Sequence, residues 1–180
     1  MIDNTVLQAL YSLRDPAFVQ IFSLITEFGD TLVIGGISLA AGVVLLVRKD
    51  LSAFAGLCIS VAGTVPAVFL LKEVVARARP DVLYQAYLEH GFSFPSGHAA
   101  FAVALYGFLM YLLWPFIKTH RWAGASVGFL NLLIVTIIFS RLYLGVHYLS
   151  DVLAGALVGG TFLAAGIYVS ERLKRSSIWS

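Results

Sequence analysis

Charge is what this sequence lacks. Asp, Glu, Lys and Arg make up 12% of its 180 residues, about half the share in a soluble domain. Hydrophobic residues make up 59% and the mean hydropathy is +0.89, so a water-soluble globule is excluded. The formal net charge of +2 is too small for a nucleic-acid partner, and the basic residues sit at the ends of apolar runs rather than in a patch. Cys58 is the single cysteine, so no disulfide can form within the chain and cysteine usage is silent about compartment. The first residues lack the basic cluster, compact apolar core and small-residue site of a cleavable signal peptide. There is no low-complexity tract and no internal repeat.

What is present is a series of long apolar runs. Thr31 to Val47, Leu51 to Leu71, Ala99 to Ile117, Trp122 to Phe139 and Val152 to Val169 contain no Asp, Glu, Lys, Arg or His. Each is about long enough to cross a bilayer as a helix, the first at the short end. Before them, Asp15-Pro16 reads as a helix start and Gly29 as its stop. Phe18, Ile21, Phe22, Ile25 and Phe28 form an apolar stripe at three-four spacing, as in a helix lying in the interface; a short sixth span is the alternative. The expectation is an all-α membrane bundle: an interfacial helix within residues 1–30, five spans over 31–170, and a basic cytoplasmic tail over 171–180.

Five crossings place Arg48, Lys49, Lys118, Arg121, Arg172, Lys174 and Arg175 on one side and Arg14, Lys72, Arg77, Arg79 and Arg141 on the other. The first side is cytoplasmic by the positive-inside rule, so the polar stretches face outward, toward the periplasm in a bacterial plasma membrane.

Three of those polar stretches carry chemistry. Ser140 to Asp151 crowds a hydroxyl, a guanidinium, an imidazole and a carboxylate between two apolar runs. His147 and Asp151 stand four apart, so on a helix beginning near His147 the carboxylate holds one ring nitrogen and leaves the other free. Lys72 and Arg79 stand seven apart, about two helical turns, and so share a face that can meet one anion. Pro80 ends that helix at Arg79. Phe94 to His98 opens the third run, with Ser96 as a capping residue beside the free N–H groups of Gly97 and His98, and Gly97 small enough to admit a phosphate to the backbone. Each stretch alone has a plain reading, as a polar loop, a headgroup-level helix end or an ordinary cap. On one membrane face they supply cations, an anion-binding helix end, two imidazoles and a carboxylate, an inventory suited to phosphoryl transfer with one histidine attacking and the other protonating the leaving group.

Lys72 with Arg79-Pro80, Pro95-Ser96-Gly97-His98, and Ser140-Arg141 with His147 and Asp151 together resemble the three-part signature of the type 2 phosphatidic acid phosphatase superfamily, in order and in spacing. The resemblance implies that His147 is the nucleophile that becomes phosphorylated and Asp151 its orienting carboxylate. It implies that Lys72, Arg79, Ser96, Gly97 and Arg141 bind phosphate, and that His98 acts as acid and then as base for water. It implies no metal and no cofactor, and the chain lacks a carboxylate cluster for magnesium. The implied partners are the bilayer and a membrane lipid phosphate such as phosphatidate, phosphatidylglycerophosphate or undecaprenyl pyrophosphate, with no soluble protein partner evident. Many members carry a further N-terminal span where this chain has its short amphipathic segment.

Outside the signature, Arg77 reads as a basic helix end attracted to lipid headgroups, and Glu73 as solvated or paired with Arg77 at four-residue spacing. His90 and His120 read as loop residues, and Asn131 as an interhelical hydrogen bond. The loop from Asp81 to Ser93, with Tyr84, Tyr87 and Glu89, reads as the approach for a lipid headgroup.

Overall fold

The computed structural model describes residues 2–177 and is helical throughout its regular structure. Helix α1 spans Ile2–Ser12 and α2 spans Pro16–Thr26, continuing through a 3₁₀ turn over Glu27–Gly29. Then come α3 (Thr31–Val47), α4 (Leu51–Leu57), α5 (Gly63–Val75), α6 (Gly97–Ile117), α7 (Ala123–Tyr143) and α8 (Leu149–Ser177). Capping follows the side chains: Asp15, Asp30 and Asp50 each accept a backbone N–H of the first turn of α2, α3 and α4.

Four helices are long and apolar enough to cross a membrane: Leu51–Val75, Gly97–Ile117, Ala123–Tyr143 and Leu149–Ser176. Helix α3 has 17 residues, about 25 Å of rise. It follows Pro16–Gly29 at a bend of 44°, and counting that bent pair as one span gives a fifth crossing among the described residues. The first expected span therefore comes with the segment expected in the interface. That segment also packs on protein, with Phe22 5.4 Å from the Phe139 ring and 4.8 Å from the Tyr143 ring. Helix α1 was not foreseen, and residues 171–177 extend α8 rather than forming a tail; 178–180 lie outside the described residues.

Span Leu51–Val75 is α4 and α5 joined by a widened, π-type turn over Cys58–Ala62. Pro66 lacks an N–H and its ring crowds the carbonyl four residues back, at Ala62, where the widened turn gives it room. Helix α6 is the core of the bundle, with Ala99, Ala100, Ala102, Ala104, Leu105 and Phe108 all buried. It lies close to α8 because α8 offers glycine at the crossing: a side chain at Gly159 would collide with the Ala100 carbonyl, and one at Gly155 with the Ser96 carbonyl. In lipid, where apolar burial between helices gains little, such backbone approach and buried hydrogen bonds hold helices together. Ser60 Oγ donating to Ala104 O at 2.9 Å is one of these bonds. The Gly155 contact also fixes the start of α8 against the start of α6, where the chemistry lies.

Candidate active site

Three chain segments meet at one end of the bundle, where α5 and α7 end and α6 and α8 begin. The start of α6 is capped by Ser96, whose Oγ accepts from Ala99 N–H at 3.5 Å, and Ser96 N–H donates to Asp151 O at 3.0 Å. That backbone bond ties the Pro95 to His98 stretch to the peptide carbonyl of Asp151, in the first turn of α8. His147 sits in the short turn between α7 and α8, two residues before α8 begins, and is 2% exposed. Its Nδ1 lies 3.6 Å from Asp151 Oδ2, which is beyond hydrogen-bond length. The buried Ser93 hydroxyl fills the gap, 2.5 Å from Asp151 Oδ2 and 3.3 Å from His147 Nδ1. Asp151 Oδ2 also accepts Tyr148 N–H at 2.8 Å. The other ring nitrogen, Nε2, is 3.2 Å from Arg79 Nη1. The ring is thus held from behind by a carboxylate and a hydroxyl, and presents its free nitrogen to a guanidinium.

Arg79 and Arg141 share one counter-charge. Arg141, fully buried near the end of α7, pairs with Glu89 and bonds Thr26 Oγ1 at 3.0 Å and Tyr87 Oη at 2.6 Å. Arg79 Nη2 reaches the other Glu89 oxygen at 3.5 Å. Lys72 Nζ donates to Phe92 O at 2.5 Å. Lys72 and His98 lie within electrostatic range of Arg79 and Arg141. Gly97, the first residue of α6, has a Phe101 ring atom 3.4 Å from where a Cβ would stand. All eight residues singled out in the three motifs are therefore gathered at one end of the bundle.

Electrostatics sets the protonation of the ring. Burial pushes the His147 imidazole down from its ordinary range, Asp151 pulls it up, and Arg141 and Arg79 push it down again, for a net value of about 4. The ring is neutral at physiological pH, as an attacking nitrogen must be. Burial works to raise the Glu89 carboxyl, but Arg141 and Arg79 outweigh it and hold Glu89 ionised below the usual carboxylate range.

Comparison with known proteins agrees with this geometry. The chain matches the PAP2 superfamily across residues 52–175. It belongs to that family. The resemblance read from the three motifs is borne out. Among PAP2 relatives, phosphatidylglycerophosphatase B of Bacillus subtilis (strain 168) is 37% identical over 111 residues, 59% of this chain and 52% of that protein. The lipid A 4'-phosphatase of Bacteroides thetaiotaomicron is 32% identical over 137 residues, 67% of this chain and 57% of that protein. The matched stretch thus spans little more than half the length of these curated relatives. Among solved structures, a transmembrane PAP2 type phosphatidylglycerolphosphate phosphatase from Bacillus subtilis superposes with a TM-score of 0.86 at 28% identity, covering 96% of this chain and 86% of that one. LpxE from Aquifex aeolicus shares the fold, with a TM-score of 0.73 at 23% identity over 95% of this chain and 96% of that one.

Several PAP2 positions converge by routes the sequence did not show. Lys72 and Arg79 are not on one helix face, because α5 ends at Val75 and Ala76 turns left-handed (φ 46°, ψ 38°). Arg79 reaches the site from the loop, four residues past the helix end. Arg77 pairs within the protein instead of with Glu73, bonding Asp151 Oδ1 at 2.8 Å and Asp3 Oδ2 at 2.8 Å. Glu89 counter-charges both arginines instead of only lining an approach. Ser93, Arg77, Asp3 and Glu89 were missed as site residues, and no local pattern marks them. Their partners lie between 10 and 147 positions away along the chain. Asn131 donates within α7 to Val127 O at 2.9 Å and reaches Met110 Sδ on α6 at 3.4 Å, the expected interhelical contact. His90 takes part through its carbonyl, which accepts from Arg79.

Proposed function

We propose that this protein is a lipid phosphate phosphatase working at the outward face of the membrane through a phosphohistidine. The observation that carries the reading is the His147 ring, backed by Asp151 and Ser93 at Nδ1, with Nε2 turned to Arg79 in a site where Arg79 and Arg141 already hold an anion, the Glu89 carboxylate. A substrate phosphate would replace Glu89 between the two guanidiniums, with Lys72 and the N–H groups at the start of α6 as further donors.

His147 Nε2 attacks phosphorus and forms the N–P bond as the P–O bond to the lipid breaks. The leaving oxygen takes a proton from His98. Water then gives a proton to His98 and attacks the phosphohistidine, releasing inorganic phosphate and restoring His147. Arg79, Arg141 and Lys72 neutralise the non-bridging oxygens while charge redistributes. The names of the curated relatives make phosphatidylglycerophosphate the first substrate to try. Phosphatidate and undecaprenyl pyrophosphate are equally compatible with a site at the mouth of the bundle, where a lipid tail stays in the bilayer. The basic side of the bundle, with Arg48, Lys118, Arg121 and Lys174, supports an outward site and a cytoplasmic C-terminus in a bacterial plasma membrane.

Purified protein is tested on these three lipids and a soluble phosphate ester, with chelator present, beside His147→Ala. The expected result is phosphate release that survives chelator and disappears in the variant. Release unaffected by the variant would refute the histidine mechanism. Phosphate transferred to a lipid or sugar acceptor instead of water would make the chain a phosphotransferase on the same site.

A further inference from the structure

The structure assigns Arg77 and Asp3 as positioning residues for the His147–Asp151 pair, which makes the N-terminal helix α1 a working part of the active site. The inference rests on the reading of His147 as the attacking group.

Asp151 is completely buried, so each of its oxygens needs a partner. Oδ2, toward the ring, has Ser93 Oγ and Tyr148 N–H. Oδ1, away from it, accepts from Arg77 Nη1 at 2.8 Å. Rotation of the carboxylate that would turn Oδ2 from the ring breaks this bond. The Arg77 guanidinium is in turn held at both terminal nitrogens and across one face. Nη1 also donates to Ser150 Oγ at 2.6 Å, Nη2 donates to Asp3 Oδ2 at 2.8 Å, and its carbon stands 4.1 Å from the Tyr148 ring centroid.

Asp3, in the first turn of α1, closes the cluster. Its Oδ1 accepts Ser150 N–H at 2.9 Å and its Oδ2 accepts Ser150 Oγ–H at 2.6 Å, so it occupies the start of α8 as a capping carboxylate would. A staple holding α1 to α8 would need only Asp3 and Ser150. The bond from Arg77 to the buried Asp151 oxygen exceeds that need and points to the reacting pair. Signs alternate along the line Asp3, Arg77, Asp151, His147. Arg77 alone would draw the Asp151 charge away from a cationic ring, and Asp3 offsets that pull. Other titratable groups act on His147 from the packed elements, Arg79 and Glu89 from the loop, His98 from α6 and Arg141 from α7, while Lys72 on α5 acts on Asp151. Among the described residues the side-chain bonds of Arg77 and Asp3 go to Asp151, Ser150 and each other, so changes at these two positions can be read separately.

The test compares wild type, Arg77→Gln, Arg77→Lys and Asp3→Asn in detergent. The His147 titration is followed by NMR of ¹⁵N-histidine-labelled protein, and kcat and KM are measured on phosphatidylglycerophosphate. Removing the cation in Arg77→Gln should raise the His147 titration and lower kcat about 10- to 100-fold with KM little changed. Removing the anion in Asp3→Asn should move the titration the opposite way. Arg77→Lys keeps the charge and should hold the titration near wild type while restoring part of kcat. Shifts in the same direction, no shift, or an unchanged kcat in folded Arg77→Gln would overturn the inference. Should Arg77→Gln not fold, Asp3→Asn and Arg77→Lys decide by the same criteria. Wild type that releases no phosphate would sink the functional reading, and the titration shifts would still decide this one.

Discussion

On the proposed mechanism, lowering the pH should leave phosphate release intact well below the range in which an ordinary histidine nucleophile is lost. His147 is 2% exposed, and the cations Arg141 and Arg79 act on it against one carboxylate, Asp151. Its value of about 4 means that about 97% of the ring is neutral at pH 5.5, against about 10% for a histidine at the ordinary 6.5. The assay is kcat/KM, which reports the free enzyme, referred to the dianionic form of the substrate so that the substrate's own ionisation near pH 6 drops out. The corrected acid limb belonging to His147 should fall near pH 4, so between pH 7 and 5.5 protonation of this ring should account for only a few per cent of any change in rate rather than about tenfold. A corrected limb at 6.5 would refute the argument that burial and the two guanidiniums outweigh Asp151. The same shift has a consequence for stability. The unfolded ring takes a proton near 6.5 and the folded ring only near 4, so stability is fully present above 6.5 and falls as pH drops through that window, by about 3 kcal/mol in all. Thermal unfolding in detergent should show the decline between those limits.

Three substitutions probe other parts of the argument. Ser93→Ala removes the hydroxyl between Asp151 and His147 and is expected to lower kcat about tenfold and stability by about 1–2 kcal/mol; unchanged kinetics would show that the 3.6 Å approach of His147 to Asp151 suffices alone. Glu89→Gln takes the internal anion from Arg79 and Arg141 and should tighten inhibition by orthovanadate about tenfold or more; weaker inhibition would place the phosphate elsewhere. Gly155→Ala puts a methyl against the Ser96 carbonyl and 3.1 Å from Ala99 Cβ, so it should cost about 1–3 kcal/mol of stability and separate the two histidine-bearing segments; full activity at wild-type stability would show that α6 and α8 can part there without consequence.

Much of the site was legible in the chain because its chemistry is concentrated. In a sequence with so few charges, each polar residue at the end of an apolar run stands out, and spacing carries Ser96 to its cap and Asp151 to the first turn of α8. The apolar runs likewise fix which segments cross, since length and hydropathy are local properties. What stayed hidden depends on groups far apart in the chain. The helical register that joined Lys72 to Arg79 fails because Ala76 ends α5 in a left-handed turn, an event that propensity argues against in alanine and that only the surrounding contacts stabilise. Arg77 looked like one more basic residue at a membrane surface, and its partners Asp3 and Asp151 are 74 positions away in either direction. The sequence by itself determined an all-helical membrane bundle, its apolar runs and a set of residue types suited to phosphoryl transfer. Tertiary structure decided how that site is wired: which oxygen of Asp151 faces the ring, which carboxylate holds the arginines, and that the first helix of the chain closes the back of the site. Burial makes the difference, because a charge withdrawn from water must find its partner wherever the fold brings one.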